Sequence, residues 1–421
     1  MSSVAGLGMV AGRSQIARRV RQLRAAWQAE GPHWVMDRAR HALANRVMPA
    51  TRESHVRPAD VLAADLSAPP QVRVLPHING QPIRLNWVME PPSAGSGGHT
   101  TIFRMIHYLE ANGFINRVYF YDPYRADHAH FAANVRDYFK FKGPVEPIEQ
   151  GMADAHGVLA TGWPTAYAVY NARSAGKKFY FVQDFEPYFY ATSSASVLAE
   201  NTYRMGLHAI TAGSWLAGRL RADYGMAAEH FDFGCDAGLY RCSPAPTARK
   251  GVAFYARPSA TRRAFEIGLM ALQLLAERRP DLDLHFYGKP IGRLPFRFID
   301  HGLVSPQQLN EIYNQCFAGL SLSLTNVSLV PHEMLAAGCI PVVNDAEQNR
   351  LVLDNPHVRY AELTPHALAR AIEDLADCPD PARRSREASA SVRGRSWDSS
   401  GLQVANILRS ALAPPPTITR E

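Results

Sequence analysis

The sequence predicts an α/β protein built from two Rossmann-like domains that face each other across a cleft. A chain of 421 residues has room for more than one domain of ordinary size, each with its own core. Short apolar runs alternate with helical patterns along most of the chain, which is typical of parallel sheets covered by helices on both faces. The stretch 243–250, rich in Pro and Ala, has the composition of a linker between the two domains.

The first domain opens with a strand, a glycine-rich loop and a helix. Ile83–Met89 is predicted as a buried strand and Pro91–Gly98 as the loop. Apolar residues then recur at helical spacing over His99–Asn112, and Gly113 follows the last of them, so this segment is predicted as a helix. The other predicted elements are the strands Val118–Tyr121, Gly157–Ala160, Lys178–Val182 and Ala209–Thr211 and the helix Phe131–Phe139.

The second domain contains the most informative stretch of the chain, residues 331–343. Pro331 suits a first helical turn because its missing N–H would have no partner there, and Gly338 suits a left-handed helix C-cap. Glu333 is therefore expected in the first turn of a short helix, near free backbone N–H groups. The other predicted elements are the strands Gly251–Ala256, Leu282–Tyr287, Ala318–Leu324 and Ile340–Val343 and the helices Ala264–Glu277, Pro306–Cys316 and Pro365–Ala376.

Four segments follow from these patterns. Residues 1–70 form a basic, helical extension, 71–245 the first Rossmann-like domain, 246–390 the second, and 391–421 a C-terminal helix and tail. Residues 1–60 contain ten Arg against four Asp or Glu, and arginines alternate with apolar residues near position 20. Such a segment suits an anionic membrane surface, and a surface helix packed on the body of the protein is the equally favoured alternative.

Composition limits the classes of function. No apolar run reaches the roughly 20 residues that a membrane-spanning helix needs, and no secretory signal is expected at the N-terminus. The five cysteines have no metal-ligand spacing, so a reducing cytoplasm fits best. Nucleic acid is disfavoured as a partner because no recognition motif accompanies the net charge of +7.

Three arginines follow the first strand of the second domain: Arg257, Arg262 and Arg263. A guanidinium group presents paired N–H donors that match a phosphate, and its charge stabilises the negative charge that develops on a leaving phosphate. Solvated loop arginines are the alternative interpretation. In the first domain, Gly95–Gly98 offers backbone N–H groups to a phosphate or a donor sugar. It is not a G-x-G-x-x-G motif, which argues against a dinucleotide oxidoreductase.

The run Gln183–Tyr190 is more distinctive. A buried strand ends in two carboxylates, Asp184 and Glu186, among four aromatic residues, and this combination suits sugar hydroxyls and apolar sugar faces. A carboxylate that caps a helix, surrounded by core aromatics, is the alternative. Asp281 and Asp283 have the spacing of a metal-binding D-x-D motif, but they run directly into a predicted strand, so a turn is expected there.

The order of elements from Gly302 onward, with Glu333, resembles the C-terminal half of retaining glycosyltransferases of family 4, whose fold is GT-B. The resemblance covers roughly residues 80–412 and implies that the C-terminal helix from Trp397 crosses back to the first domain. The run Gln183–Tyr190 is similar to that of WsaF-type rhamnosyltransferases, which use dTDP-rhamnose in surface-glycan assembly.

The resemblance implies a role for each candidate residue. Arg257 and Arg263, with Arg262 as the alternative to Arg263, would hold the donor diphosphate, and Glu333 would bind the ribose. Thr325 stands where the family has the first Glu of its E-x7-E pattern, so donor hydroxyls would be met by Thr325, Asn326 and backbone N–H groups. The catalytic set would be Asp184, Arg257, Arg263 and Glu333; the rest of the donor site Gly97, Gly98, Arg262, Gly288, Leu303, Thr325 and Asn326; and the acceptor site Gln183, Glu186 and Tyr188.

The implied function is transfer of a sugar, rhamnose from dTDP-rhamnose, onto a glycan in surface-polysaccharide assembly, with retention and without a metal or other cofactor. The partners would be a dTDP- or UDP-sugar, a glycan or lipid-linked glycan acceptor, and an anionic surface at the inner face of the membrane. A nucleotide-sugar epimerase of the same shape and a non-catalytic carbohydrate-binding protein are the alternatives. An epimerase needs no basic arm or aromatic acceptor rim, and a scaffold needs no cluster of cations with Glu333.

Overall fold

A computed structural model of the chain describes residues 55–67, 72–75, 80–124, 127–244 and 249–413. Both sheets lie within one compact unit that begins at Val56. Within the described ranges, no helix combines the length and the apolar character needed to span a membrane.

The first domain contains a sheet of seven parallel strands. In chain order the strands are β1 (Ile83–Met89), β2 (Phe114–Phe120), β3 (Val145–Pro147), β4 (Gly157–Ala160), β5 (Lys177–Val182), β6 (His208–Ala212) and β7 (Ala228–Phe231). Their order across the sheet is β3-β2-β1-β4-β5-β6-β7, so the chain changes direction across the sheet between β1 and β4. Trp87 of β1 lies beside Val118 and Leu159, and its indole N–H donates to the Asn116 side chain at 2.9 Å.

Helices surround this sheet and complete its core. They are α1 (Pro58–Ala63), α2 (Gly97–Ala111), α3 (His128–Asp137), α4 (Trp163–Asn171), α5 (Ser194–Asn201) and α6 (Ser214–Tyr224). Strands β4 and β5 are buried along nearly their whole length, as expected for parallel strands covered on both faces.

The second domain contains six parallel strands with its own apolar core. The strands are β8 (Gly251–Ala256), β9 (Asp283–Gly288), β10 (Ile299–Asp300), β11 (Cys316–Leu320), β12 (Ile340–Asn344) and β13 (Arg359–Ala361). Their order is β10-β9-β8-β11-β12-β13, which places the change of direction between β8 and β11. The helices are α7 (Phe265–Arg278), α8 (Pro306–Gln315), α9 (Val330–Ala336), α10 (Glu347–Leu353), α11 (Pro365–Ala376) and α12 (Pro381–Ala390).

A last helix, α13 (Trp397–Leu412), returns to the first domain. It packs on α2, where Gly401 lies so close to Tyr108 that a Cβ built on it would be 2.2 Å from the ring. The Ser400 hydroxyl donates to the Asp232 carbonyl at 2.6 Å, just after β7. The predicted crossover is therefore confirmed: α13 follows the second domain in the chain and packs on the first.

The predicted elements differ from the observed ones mainly at their ends. Helix α2 begins at Gly97 rather than His99, so both candidate glycines lie in its first turn. Strand β11 ends at Leu320 rather than Leu324, because residues 321–326 leave the sheet and turn toward the first domain. Helix α4 was not predicted; its first eight residues are all buried, so it lacks the polar face that makes a helix recognisable.

Helix α1 is the described part of the predicted N-terminal extension. The Tyr121 hydroxyl, just after β2, donates to the Asp60 side chain at 2.8 Å and accepts from the Arg57 backbone N–H at 2.8 Å. Residues 55–67 are thus attached to the first domain through these contacts. Residues 1–54, which carry most of the extension's arginines, lie outside the described residues.

Candidate functional site

The candidate site lies where the carboxyl ends of both sheets meet. In a parallel sheet, loops on either side of the point where strand order reverses form a crevice suited to ligands. In the first domain these loops follow β1 and β4, and in the second they follow β8 and β11. The second-domain loops contain the three predicted arginines and the turn 321–326, so the topology brings together residues about 60 positions apart.

Asp184 connects the two domains at this point. It is 7% exposed and follows β5 of the first domain. Its Oδ2 accepts from Arg262 Nε at 3.0 Å and lies 3.7 Å from Arg263 Nη2. Its Oδ1 accepts from the backbone N–H groups of Asn326 and Phe185, both at 2.9 Å. Both carboxylate oxygens are therefore engaged, three of the four contacts being with the second domain.

Arg263 is the more deeply buried of the two arginines. Its Nη1 donates to Ser323 Oγ at 2.5 Å and to the Asn326 carbonyl at 2.9 Å, so it holds the turn after β11. Burial lowers the pKa of Arg263, and the Asp184 carboxylate opposes this effect. Arg262 instead stacks over the Phe189 ring, 4.4 Å from its centroid. Arg262 and Arg263 thus share Asp184 but differ in what else they contact.

Arg257 lies apart from this cluster of contacts. It is exposed, and its Nη1 donates to the Tyr255 hydroxyl at 3.2 Å. Its charge nevertheless lowers the pKa of Arg263, so the two cations belong to the same electrostatic neighbourhood. The three predicted arginines are therefore brought together, two inside the domain junction and one at its rim.

Thr325 and Asn326 are fully buried at the same junction. The Asn326 amide donates to the carbonyls of Gln183 and Ala212, at 2.9 and 2.8 Å, and so joins the ends of β5 and β6 to the second domain. Thr325 Oγ1 and Asn326 Oδ1 are buried without a hydrogen-bond partner among the described residues. Buried polar atoms normally have partners, so these two atoms have hydrogen-bonding capacity that the described residues leave unused.

Glu333 lies in α9, as predicted, and is half-buried. Burial raises its pKa to about 7; the charge of Arg104 lowers it and that of Asp236 raises it. Gly338 ends this segment with φ +75°, the left-handed conformation expected of a C-cap. The carboxyl of Glu333 therefore loses its proton near neutral pH, in surroundings shared by both domains.

Two other predicted donor residues lie together at the β9 end of the second sheet. Gly288 has φ +120°, and a Cβ there would lie 2.5 Å from the Ala256 carbonyl, so glycine is required where β8 and β9 approach. Its N–H donates to the Gly302 carbonyl at 2.8 Å. Leu303, the next residue, is 86% exposed. This exposed position is compatible with the place in the donor site that the resemblance implies for Leu303.

Gly97 and Gly98 form the first turn of α2, with Gln183 facing them. A Cβ built on Gly98 would lie 3.5 Å from the Gln183 side-chain nitrogen. Ser96 precedes the helix without capping it; its hydroxyl instead contacts His99 Nδ1 at 2.8 Å. The N-terminal turn thus lies beside the loop that carries Asp184.

The predicted acceptor residues differ in exposure: Glu186 is buried in the first domain, whereas Tyr188 is half-exposed. Glu186 is 5% exposed, and its Oε2 accepts from the Trp163 backbone N–H at 2.5 Å, at the start of α4. Burial raises the pKa of Glu186 to about 8. Its carboxyl thus lies inside the first domain and caps a helix, which was the alternative interpretation of this run. Tyr188 is half-exposed and its hydroxyl accepts from Arg219 at 3.0 Å.

Sequence reasoning missed Glu90 and Arg104. Glu90 follows β1, and its carboxyl lies beside that of Glu186: a Cβ on Gly162 would be 3.9 Å from an oxygen of each. Burial, then the charge of Asp122, raises the pKa of Glu90 to about 7. A carboxylate at the end of a buried strand is the signal that had singled out Asp184, and it applies equally to Glu90.

Arg104 is the cation that the first domain contributes near Glu333. It lies on α2, with its guanidinium 4.6 Å from the centre of the Trp397 ring. No pattern in the sequence indicates which face of α2 turns toward the second domain, so this residue had no sequence signal.

A cavity of about 610 Å³ also opens at the first domain, lined in part by Pro91, Phe120 and Asp122 at the ends of β1 and β2.

The D-x-D stretch has the expected structural role. Asp281 is exposed and pairs with Arg279 at 2.9 Å, in the turn before β9 at the amino end of the sheet. In the part of the chain that the structure describes, no three His, Cys, Asp or Glu side chains are grouped in a way that would hold a metal ion.

Comparison with known proteins adds independent information. Residues 146–212 match the family model "WsaF, N-terminal domain" and residues 250–373 match "WsaF, C-terminal domain". The O-antigen biosynthesis protein RfbC of Myxococcus xanthus is 34% identical over 253 residues, which are 57% of this chain and 20% of that protein. The predicted resemblance to WsaF-type proteins is therefore confirmed. The chain spans about a fifth of the length of the curated relative that it matches.

Solved structures show the same fold. Anabaena HepE, in complex with UDP and glucose, is 16% identical with a TM-score of 0.59, covering 78% of this chain and 100% of that one. TarM of S. aureus is 8% identical with a TM-score of 0.63, covering 79% and 99%. Two parallel-sheet domains with such neighbours confirm the GT-B fold.

Proposed function

We propose that this chain, in which both WsaF domains are matched within a GT-B fold, is a glycosyltransferase that uses a nucleotide-sugar donor in O-antigen or related surface-glycan assembly. The observation that carries the proposal is the junction of Arg262, Arg263, Thr325 and Asn326 at the reversal point of the second sheet. The fold neighbour HepE was solved with UDP and with UDP-glucose, which supports a nucleotide-sugar as donor.

The chemistry follows from the charges at this junction. Breaking the bond between the sugar C1 and the phosphate oxygen leaves negative charge on the departing nucleotide, and preorganised cations stabilise it. Arg263, held by the turn after β11, is preorganised in this sense. Glu333 would accept hydrogen bonds from the ribose, and Leu303 would contact the base through its backbone. A metal ion is not required for this form of stabilisation.

The finer proposal concerns the sugar and the stereochemistry. We expect rhamnose from dTDP-rhamnose, because the WsaF match and Thr325, in place of a family carboxylate, favour a 6-deoxy sugar. In this structure Asp184 is engaged with arginines and backbone N–H groups, and no carboxylate stands out as a covalent nucleophile. We therefore expect retention by front-face attack: the acceptor oxygen bonds to C1 as the phosphate departs, and the acceptor proton passes to the phosphate oxygen.

The test is product analysis by mass spectrometry after incubation with dTDP-rhamnose, UDP-glucose and other nucleotide-sugars, with and without glycan acceptors. Transfer that persists in EDTA supports a metal-independent glycosyltransferase. Isomerisation of the nucleotide-sugar without an acceptor would instead identify an epimerase, and glycan binding without any turnover a carbohydrate-binding protein.

Arginine variants connect this activity to the site. Arg263→Ala should lower turnover about 100-fold or more, the usual effect of removing a charge-stabilising donor. Arg257→Ala should have a smaller effect, because Arg257 is exposed at the rim. Equal turnover in wild type and Arg263→Ala would contradict the assignment of the diphosphate site.

A further inference from the structure

Asp184 occupies a site that has the donors of an anion-binding site. Two guanidinium groups and two backbone N–H groups converge on its carboxylate, at 3.0 and 3.7 Å from Arg262 and Arg263 and at 2.9 Å from the N–H groups of Phe185 and Asn326. Guanidinium forks and converging backbone N–H groups are the donors that proteins use for phosphate. A carboxylate of the chain itself therefore satisfies groups that also suit a phosphate.

The surroundings of this carboxylate contain polar atoms that it does not satisfy. Thr325 Oγ1 and Asn326 Oδ1 are fully buried at the same junction and lack a hydrogen-bond partner among the described residues. Asp184 thus pairs with the arginines of the junction and makes no hydrogen bond with the Thr325 hydroxyl or the Asn326 amide oxygen. A donor that carries both phosphates and sugar hydroxyls would match all of these groups at once.

We propose that Asp184 is an internal competitor of the donor: its carboxylate takes the place of a donor phosphate on Arg262 and Arg263, and the donor displaces it. This inference rests on the proposed function, since it requires a nucleotide diphosphate at this junction. Asp184 and a phosphate carry the same sign of charge, and at contact distance they repel each other strongly in a buried site. Donor binding is therefore weakened by the need to separate Asp184 from the arginines.

Displacement of Asp184 has a consequence for the acceptor side. Asp184 belongs to the run Gln183–Tyr190, and Arg262, its partner, stacks on Phe189 of the same run. Arg219 also holds this run, through the Tyr188 hydroxyl and over the Phe185 ring. When the donor binds Arg262 and Arg263, the loop loses its contacts with these two arginines and keeps those with Arg219. The donor would then bind before the acceptor, because its arrival rearranges the loop.

Calorimetric titration with UDP and dTDP tests the competition, because it shows whether removing the charge of Asp184 raises or lowers nucleotide affinity. Asp184→Asn keeps the shape and removes the charge, so nucleotide affinity should rise at least fivefold; Asp184→Ser should act in the same direction. Asp281→Asn removes one acidic charge at the opposite end of the second sheet and should leave affinity unchanged. Thermal melting confirms that each variant is folded.

Every outcome decides a claim. Weaker or unchanged affinity in folded Asp184→Asn and Asp184→Ser overturns the competition, while the proposed function stands as long as the wild type binds nucleotide. Absence of nucleotide binding by the wild type overturns both. Equal tightening in Asp281→Asn would assign the effect to net charge and would also overturn the competition.

Hydrogen exchange of the wild-type protein gives an independent readout. The N–H groups of Phe185 and Asn326 both donate to Asp184 Oδ1. On addition of UDP, exchange in residues 183–190 should become faster, although ligands usually slow exchange where they bind. Slower exchange throughout this loop would show that Asp184 stays in place when the nucleotide binds, and would contradict the displacement.

Discussion

Four carboxyl groups lie in or beside the cleft, and their surroundings divide them into two kinds. Asp184 meets two arginines within 4 Å. Glu90, Glu186 and Glu333 are desolvated without such a pairing among the described ion pairs, and burial raises the pKa of each to about 7, 8 and 7. The three glutamates therefore exchange protons near neutral pH.

The raised pKa of Glu186 predicts a pH dependence of stability. Between its unfolded value of 4.5 and its folded value of about 8, the folded state holds a proton that the unfolded state has lost. Stability is therefore lost as pH rises through this window. Glu186→Gln, a permanently neutral analogue, should make the free energy of unfolding less dependent on pH between 5 and 8, by on the order of 1–2 kcal/mol.

Urea unfolding at several pH values measures this effect. Asp345→Asn is a suitable control, because Asp345 is an exposed partner of Arg350 and its pKa is lowered rather than raised. A Glu186→Gln variant with the pH dependence of the wild type would show that Glu186 is ionised in the folded protein at neutral pH.

Glu333 predicts a pH dependence of ligand binding. Its ionised form is a stronger acceptor for ribose hydroxyls than its protonated form, and its pKa is about 7. Affinity for uridine, which lacks the titrating phosphate, should therefore rise between pH 6 and 8. Glu333→Gln should remove this rise and Glu333→Ala should weaken binding at both pH values, as measured by calorimetry. A rise that persists in Glu333→Gln would assign it to another group.

At the scale of elements, the sequence predicted the helices and strands whose apolar residues recur at regular spacing. Helix α11 was predicted at its observed ends, because a polar face and a capping Thr364 mark it. Helix α4 was missed because burial on all sides removes the periodicity. Helix α12 was not predicted, although the Asp380 side chain accepts from the Arg383 N–H at its start.

Residues of the candidate site were predictable where a charged side chain comes just after a predicted strand. Arg262, Arg263 and Asp184 were each singled out in this way, but their mutual contact was not, because it depends on how two domains are joined. Arg104 had no such signal: its position near Glu333 follows from the face that α2 presents. Local patterns predict the members of the site, whereas tertiary packing decides which of them meet.

The crossover helix α13 predicts a sharp effect of a small change. A Cβ at Gly401 would lie 2.2 Å from Tyr108, a distance that requires ring or helix to move. Gly401→Ala should therefore destabilise the protein by about 1–3 kcal/mol, as overpacking commonly does. Gly394→Ala, where a Cβ meets nothing within 4 Å, is the matched control. Equal melting temperatures for both variants would show that α13 adjusts without cost.

At the scale of the whole molecule, the basic extension predicts attraction to anionic membranes. Ten arginines against four acids in residues 1–60 motivate this expectation. Because Arg57 and Asp60 contact Tyr121 of the first domain, deletion of residues 1–54 keeps these contacts, whereas deletion of 1–60 removes them. The truncated protein should sediment less with anionic liposomes, and the difference should shrink as salt is raised.

Neutral liposomes are the control for this experiment, because they retain the bilayer and lack the charge. Turnover on a free acceptor should be the same for both forms. If the truncated protein sediments as well as the full chain does, the extension does not supply membrane affinity.

The contacts of Asp184 with the second domain also affect whether domains can be exchanged between proteins of this fold. Asn326 bonds to the ends of two first-domain strands, and Arg262 and Arg263 depend on a first-domain carboxylate. The two halves are therefore not independent modules. A chimera that takes its second domain from another protein of this fold needs a compatible partner for residue 184. Libraries built by exchanging domains should yield folded proteins mainly when the residues at these four positions come from the same parent.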